Sequence, residues 1–111
     1  MYNLTIKFQS FTLAPATPTF LVSMNPNRRL LLLQVTGVNP AVFCFQRAPV
    51  SATDGLTLGA ASISGEQGGS FLISNGNSQT TAGDTPVDFV WAYSTLGTTV
   101  NVEEGTVYAF L

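Results

Sequence analysis

Apolar and polar residues alternate with a period of two along most of this chain, which is the pattern of β-strands with one covered face. The first such stretch covers residues 3–9, and its apolar face consists of Leu4, Ile6 and Phe8. The clearest stretch covers residues 87–93, and its larger face consists of Val87, Phe89, Trp91 and Tyr93. Because aromatic side chains bury the most area, we expect this second face to lie in the core.

The central stretch, residues 27–46, is apolar on both faces: NRRLLLLQVTGVNPAVFCFQ. We interpret it as two strands joined by a tight turn over residues 36–40, that is, a hairpin. Leu31 and Leu33 point to one side of the first strand, and Leu30 and Leu32 point to the other. A strand that is apolar on both sides needs a cover on both sides, which either a partner or long loops can supply.

The other segments predict shorter elements. Pro15 and Pro18 remove backbone donors, so residues 9–20 suit a sheet edge or an extended arm, followed by a strand near residues 20–24. Short strands are expected near residues 56–58 and 71–73, and a long exposed loop at 75–86. Glu104 and Gly105 predict a turn between two final strands, at about 99–103 and 106–111.

These elements amount to about eight short strands, with turn signals roughly every 8 to 12 residues and no helical window of useful length. That pattern is typical of an antiparallel β-sandwich or a jelly-roll-like barrel. The sequence shows neither a repeat nor a domain boundary, so we expect residues 1–111 to form a single all-β domain.

The composition disfavours several classes of partner. Charged residues make up 9% of the chain, the net charge is -2, and four residues are basic, which is too few to neutralise many phosphates of a nucleic acid. The apolar run from Leu30 to Leu33, like every other apolar run in the chain, is far shorter than the roughly 20 residues of a membrane-spanning helix. The first residues lack the pattern of a secretory signal, so we expect synthesis and retention in a cytosol.

Few residues offer catalytic chemistry. Histidine is absent, which removes the commonest general base and transition-metal ligand, and the single cysteine, Cys44, lies among apolar residues as a buried thiol would. The acidic residues fall in turns or on polar strand faces, where a solvated charge is the ordinary interpretation. We therefore expect no enzyme and no cofactor, while a calcium ion held by Asp54, Asp84 or Asp88 stays an alternative.

An interface with a partner protein is the remaining possibility for a functional site. Three of the four basic residues flank the central stretch, where they either discourage edge pairing or anchor carboxylates and carbonyls of a partner. The residues that we expect at such an interface are Pro15, Pro18, Phe20, Arg28, Arg29, Leu30, Leu32 and Arg47.

Three segments in this order resemble small β-rich virion proteins of tailed bacteriophages, including head decoration or cement proteins. They are NRRLLLLQVTGVNPAVFCFQ, APVSATDGLTL and FVWAYSTLGTTVNVEEG, within residues 25–105. The resemblance implies an all-β subunit, often a homotrimer, that binds the major capsid protein on the outside of a bacteriophage head assembled in the host cytoplasm. It implies no catalytic residue.

The resulting expectation is a structural virion protein that decorates and stabilises a capsid. The alternative is a carbohydrate- or receptor-binding β-sandwich module from a tail or head fibre, in which exposed aromatic residues and a calcium ion would hold a sugar. A Trp91 buried in the core would weigh against that alternative.

Overall fold

The computed structural model describes the backbone of residues 2–74 and 88–109 and the side chains of residues 5–73 and 88–107. These residues form eight strands and no helix. The strands are β1 (Tyr2–Leu13), β2 (Thr19–Val22), β3 (Arg28–Val35), β4 (Ala41–Phe45), β5 (Leu56–Leu58), β6 (Ser70–Ser74), β7 (Val90–Tyr93) and β8 (Thr98–Ala109). The all-β fold class is confirmed.

The strands form two antiparallel sheets of four. We call β1-β8-β3-β6 the long sheet, because it contains two strands of twelve residues, and β2-β7-β4-β5 the short sheet. Eight strands divided in this way between two facing sheets form a jelly roll. Strands β1 and β6 are the edges of the long sheet, and β2 and β5 are the edges of the short one.

The predicted hairpin of residues 27–46 is wrong. Strand β3 pairs with β6 and β8 in the long sheet, whereas β4 pairs with β5 and β7 in the short sheet, so the connection between them crosses the sandwich. The crossing runs against β8: the backbone N–H groups of Thr36 and Gly37 both donate to the carbonyl of Thr99, at 2.9 and 3.1 Å. A Cβ at Gly37 would overlap the hydroxyl of Thr98, so this approach requires glycine.

The core lies between β3 and β8 on one side and β4 and β7 on the other. Fully or almost fully buried aliphatic residues supply most of it, with Phe43 as its largest apolar member: Leu31, Leu33, Val35, Ala41, Phe43, Val90, Ala92, Val100 and Val102. The period-two pattern of β3 thus fills the core from one face of the strand.

The aromatic face predicted for residues 87–93 does not lie in this core. In β7 the buried residues are Val90 and Ala92, both fully inaccessible, while Trp91 and Tyr93 are half-buried and Phe89 is 38% exposed. Small side chains point into the narrow space between the sheets, and the rings lie on the outside of the short sheet. Val87 falls outside the described residues.

Two further segments are compared with their predictions, a turn at Glu104 and Gly105 and a sheet edge or arm at residues 9–20. Glu104 and Gly105 do not form a turn but continue β8, where Gly105 lies opposite Ile6 and Leu30. Residues 9–20 lie at the sheet edges, which was one of the two predictions for them, and not in an extended arm. They complete β1, turn through Ala16, whose N–H donates to the carbonyl of Ser94 at 2.8 Å, and begin β2.

Candidate interaction surfaces

Arg28 lies inside the protein rather than on a surface. Its side chain is 0% exposed, and its guanidinium forms an ion pair with Glu104 of β8 at 2.7 Å. The same group donates to the carbonyls of Ser23 and Asp88, each at 3.1 Å. Arg28 therefore connects β8 with the segments that follow β2 and precede β7, and the partner contact expected for it is blocked in this conformation.

The other two arginines also bind within the chain. Arg29 is 8% exposed, and its guanidinium donates to the carbonyl of Arg28 at 3.1 Å. Arg47 is exposed and pairs with both carboxylate oxygens of Asp54, at 2.5 and 2.6 Å. That ion pair, together with the N–H of Val50, lowers the pKa of Asp54 to about 2.

Cys44 is buried on the outer side of β4, beneath the loop of residues 46–55. Its Sγ donates to the carbonyl of Asp54 at 2.8 Å. Burial raises the pKa of this thiol, and the nearby Arg47 only partly opposes the effect. A neutral, covered thiol is a poor nucleophile.

The strongest surface feature is the outside of the long sheet. Ile6 and Phe8 of β1 point outwards and are 47% and 61% exposed, and Leu72 of β6 is 60% exposed. Leu30 and Leu32 of β3 share this side and are half-buried. We call these five residues the apolar face. Their proximity follows from the register, in which Phe8, Glu103, Leu32 and Leu72 lie side by side across the four strands.

The apolar face contains two predicted interface residues, Leu30 and Leu32, and three that the sequence analysis missed. The alternation of Leu4, Ile6 and Phe8 predicts one apolar face on the first strand, but the pattern does not tell whether that face lies in the core or on the outside. The side chain of Leu4 lies outside the described ones. The opposite side of β1 carries Thr5, Lys7 and Gln9, which line a groove of about 560 Å³, with mixed polar and apolar walls, between β1 and the segment from Phe20 to Asn27.

The difference in strand length between the two sheets explains why Ile6 and Phe8 point outwards. Strand β1 has twelve residues, whereas β2, the facing edge of the short sheet, has four. Only the end of β1 that contains Phe11 and Leu13 packs on the core, and the remaining inner side faces this mixed groove.

The outside of the short sheet carries two features. Phe20, 42% exposed, packs edge-on against Trp91 with ring centroids 5.4 Å apart, and against Phe89 at 6.1 Å. Of the other predicted interface residues, Pro15 and Pro18 are exposed in the turn between β1 and β2.

The second feature is a cavity of about 250 Å³, which we call the apolar groove. It lies between the loop of residues 46–55 and the turn that joins β7 to β8. The residues that line it are Asn39, Pro40, Ala41, Val42, Ala52, Thr57, Tyr93, Ser94, Thr95 and Leu96. None of them is charged.

Within residues 2–74 and 88–109, no group of three or more Asp, Glu, Cys or His side chains is placed to hold a metal ion. The proposed calcium ligand Asp54 is engaged by Arg47 and Val50, and Asp84 lies outside the described residues. The same part of the chain contains no helix long and apolar enough to cross a membrane.

Comparison with known proteins gives a structural match. No family model and no curated protein matches this chain. Among solved structures, the chain is similar to a protein of the Bacillus endospore appendages, which are described as "a novel family of disulfide-linked pili". The TM-score is 0.53 at 18% sequence identity, and the match covers 99% of this chain and 89% of the other. At this identity the likeness establishes a shared fold.

This comparison corrects the expected function. The matched structure belongs to an appendage of bacterial endospores and not to a bacteriophage head, so the expectation of a capsid decoration protein is wrong. The trimer and the capsid-protein partner were implied by the same phage resemblance, and a structure of one chain tests neither. What the chain shares with its structural neighbour is the two-sheet all-β fold.

Proposed function

We propose that this chain is a non-catalytic structural subunit that assembles with copies of itself into a non-covalent polymer. The observation that carries the proposal is the apolar face. Several apolar side chains gathered on one side of a regular sheet mark an interaction site, whereas single scattered apolar residues do not. The pilus described for the structural neighbour supports an assembly built from subunits of this fold.

The cysteine content separates this subunit from the disulfide-linked pili named in that comparison. The sequence contains one cysteine, and one thiol per chain can link only two chains, so disulfides cannot propagate a polymer here. Cys44 is also 5% exposed and covered by the loop of residues 46–55. We therefore expect the contacts between copies to be non-covalent and to depend mainly on the apolar face.

The strength of the apolar contact follows from the exposed fractions. Burying a whole leucine or phenylalanine side chain contributes about 1.5–3 kcal/mol. Phe8 and Leu72 still expose 61% and 60% of their surface. Covering these remainders contributes about 3 kcal/mol together, which corresponds to roughly a 100-fold change in the dissociation constant.

The test is sedimentation velocity of the wild type and of Phe8→Ser/Leu72→Ser over a range of concentrations. We expect concentration-dependent growth of wild-type species and a loss of roughly 100-fold in association for the double variant. Ile63→Ser is the matched control, because Ile63 is 62% exposed but lies in the loop between β5 and β6. A wild-type chain that stays monomeric at all concentrations refutes the proposal.

A further inference from the structure

The apolar groove has the size and chemistry to receive one apolar side chain. Its floor contains Val42, which is 2% exposed, and Tyr93, and Leu96 at its rim is 70% exposed. An apolar cavity of about 150 Å³ already holds a benzene molecule, so a groove of about 250 Å³ admits a phenyl ring.

The side chain that fits this description projects from the opposite side of the same molecule. Phe8 is 61% exposed on β1, the edge strand that bounds the apolar face. The apolar face lies on the outside of the long sheet and the apolar groove on the outside of the short sheet, so a single chain cannot bring them together. A second copy can.

We propose that the apolar face of one copy packs on the apolar groove of the next, with Phe8 seated in the groove, so that copies stack sheet against sheet from head to tail. This inference rests on the proposed function and specifies its interface. A contact between two different surfaces of the same chain repeats without limit when the rotation between copies does not close a ring. It therefore produces a fibre.

Charge favours this arrangement over one in which two apolar faces pair with each other. Glu103 lies between Phe8 and Leu32 in the register of the long sheet, on the same side as both. Pairing of two apolar faces places a Glu103 carboxylate from each copy in the same interface, where like charges are unfavourable. Packing of the apolar face on the apolar groove places one such carboxylate there, against a lining that contains no acidic residue.

The broad sides of the molecule are also large enough to form a stable interface between two copies. The chain measures 47 × 27 × 18 Å, and facing sheets pack about 10 Å apart. A side of 47 × 27 Å exceeds the roughly 800 Å² that each partner contributes to a stable interface.

The test uses variants that disable one surface each. Phe8→Ser/Leu72→Ser removes the projecting side chains and leaves the groove intact. Ala52→Trp fills the groove from its exposed rim, and Thr57→Glu places a charge in the groove without contacting the core. Two groove variants are used so that the test does not depend on the folding of one of them. Ala60→Trp, at an exposed position outside the groove, is the matched control, and circular dichroism verifies folding of each variant.

We expect each disabled variant alone to associate on the order of 100-fold more weakly than the wild type, and Ala60→Trp to associate normally. An equimolar mixture of a face variant and a groove variant retains one intact interface. It should therefore form complexes with the mass of two 11.8 kDa chains and nothing larger.

Three results overturn the inference, and they differ in what they mean for the proposed function. If the groove variants assemble like the wild type while the face variant does not, the faces pair with each other, and the proposed function stands. If both classes lose assembly but their mixture forms no pair, the two surfaces are not complementary. If the wild type itself does not assemble, the proposed function fails as well.

Discussion

The buried guanidinium of Arg28, which pairs with Glu104 and also donates to the carbonyls of Ser23 and Asp88, offers the sharpest test of how the two sheets are held together. Replacing Arg28 by methionine keeps much of the side-chain volume but removes the guanidinium. Glu104, whose side chain is 15% exposed, would then lie against the core without its cation, and the carbonyls of Ser23 and Asp88 would lose a donor. Removing one partner of a buried ion pair costs about 3–5 kcal/mol.

The partial exposure of Glu104 places the expected loss at the lower end, about 3 kcal/mol, because water can still reach the stranded carboxylate. For a domain of 111 residues this corresponds to a fall in melting temperature of roughly 10–20 °C. The assay is urea unfolding followed by circular dichroism, at a concentration where the chain is monomeric.

The double variant Arg28→Met/Glu104→Gln is the control, because it removes both charges. We expect it to be more stable than Arg28→Met alone, since no buried charge is left unpaired. A loss below about 1 kcal/mol for Arg28→Met, or no recovery in the double variant, would show that the pair does not hold these segments together.

Three further predictions concern single positions. Gly37→Ala should lower the free energy of unfolding in urea by about 1–3 kcal/mol, because its Cβ would overlap β8. Gly59→Ala is the control, because its Cβ meets nothing within 4 Å. Equal losses in the two variants would exclude the steric explanation. Because the native pKa of Asp54 is about 2, below its unfolded value near 3.9, its contribution to stability is complete above about pH 4 and disappears as the pH falls towards 2. Thermal melts of the wild type and Asp54→Asn between pH 2 and 6 should therefore differ in slope below pH 4, and parallel profiles would contradict the low pKa. Cys44 should react with a thiol reagent at neutral pH far more slowly in the folded protein than in urea, and similar rates would show that the loop does not cover it.

The alternation of apolar residues located most strands of this fold but did not identify their buried faces. The burial of β3 was predictable, because four consecutive leucines leave no polar side to expose. Its inward face fills the core. In β7, both faces are apolar enough to be buried, and the larger one lies outside because the space between the sheets accepts Val90 and Ala92. A period of two specifies two faces, and the tertiary packing decides which of them is covered.

The candidate interface was predictable only in part for the same reason. Leu30 and Leu32 were predictable as interface residues, because they lie on the side of β3 opposite its core face. Phe8 and Leu72 belong to strands that are far apart in sequence and meet only through the pairing of β1 with β8, of β8 with β3 and of β3 with β6. Local patterns contain no information on that order. The prediction that Arg28 lies at an interface was wrong, because a charged residue at a strand end is normally exposed, whereas Arg28 is buried and paired with Glu104.

Electron microscopy of the purified wild-type chain at high concentration tests the central claim most directly. Stacking of two-sheet sandwiches predicts fibres in which each copy adds about 20 Å along the axis, since sheets pack about 10 Å apart. Phe8→Ser/Leu72→Ser should form none under the same conditions. Isolated monomers, or closed oligomers of fixed size in place of fibres, would contradict the account.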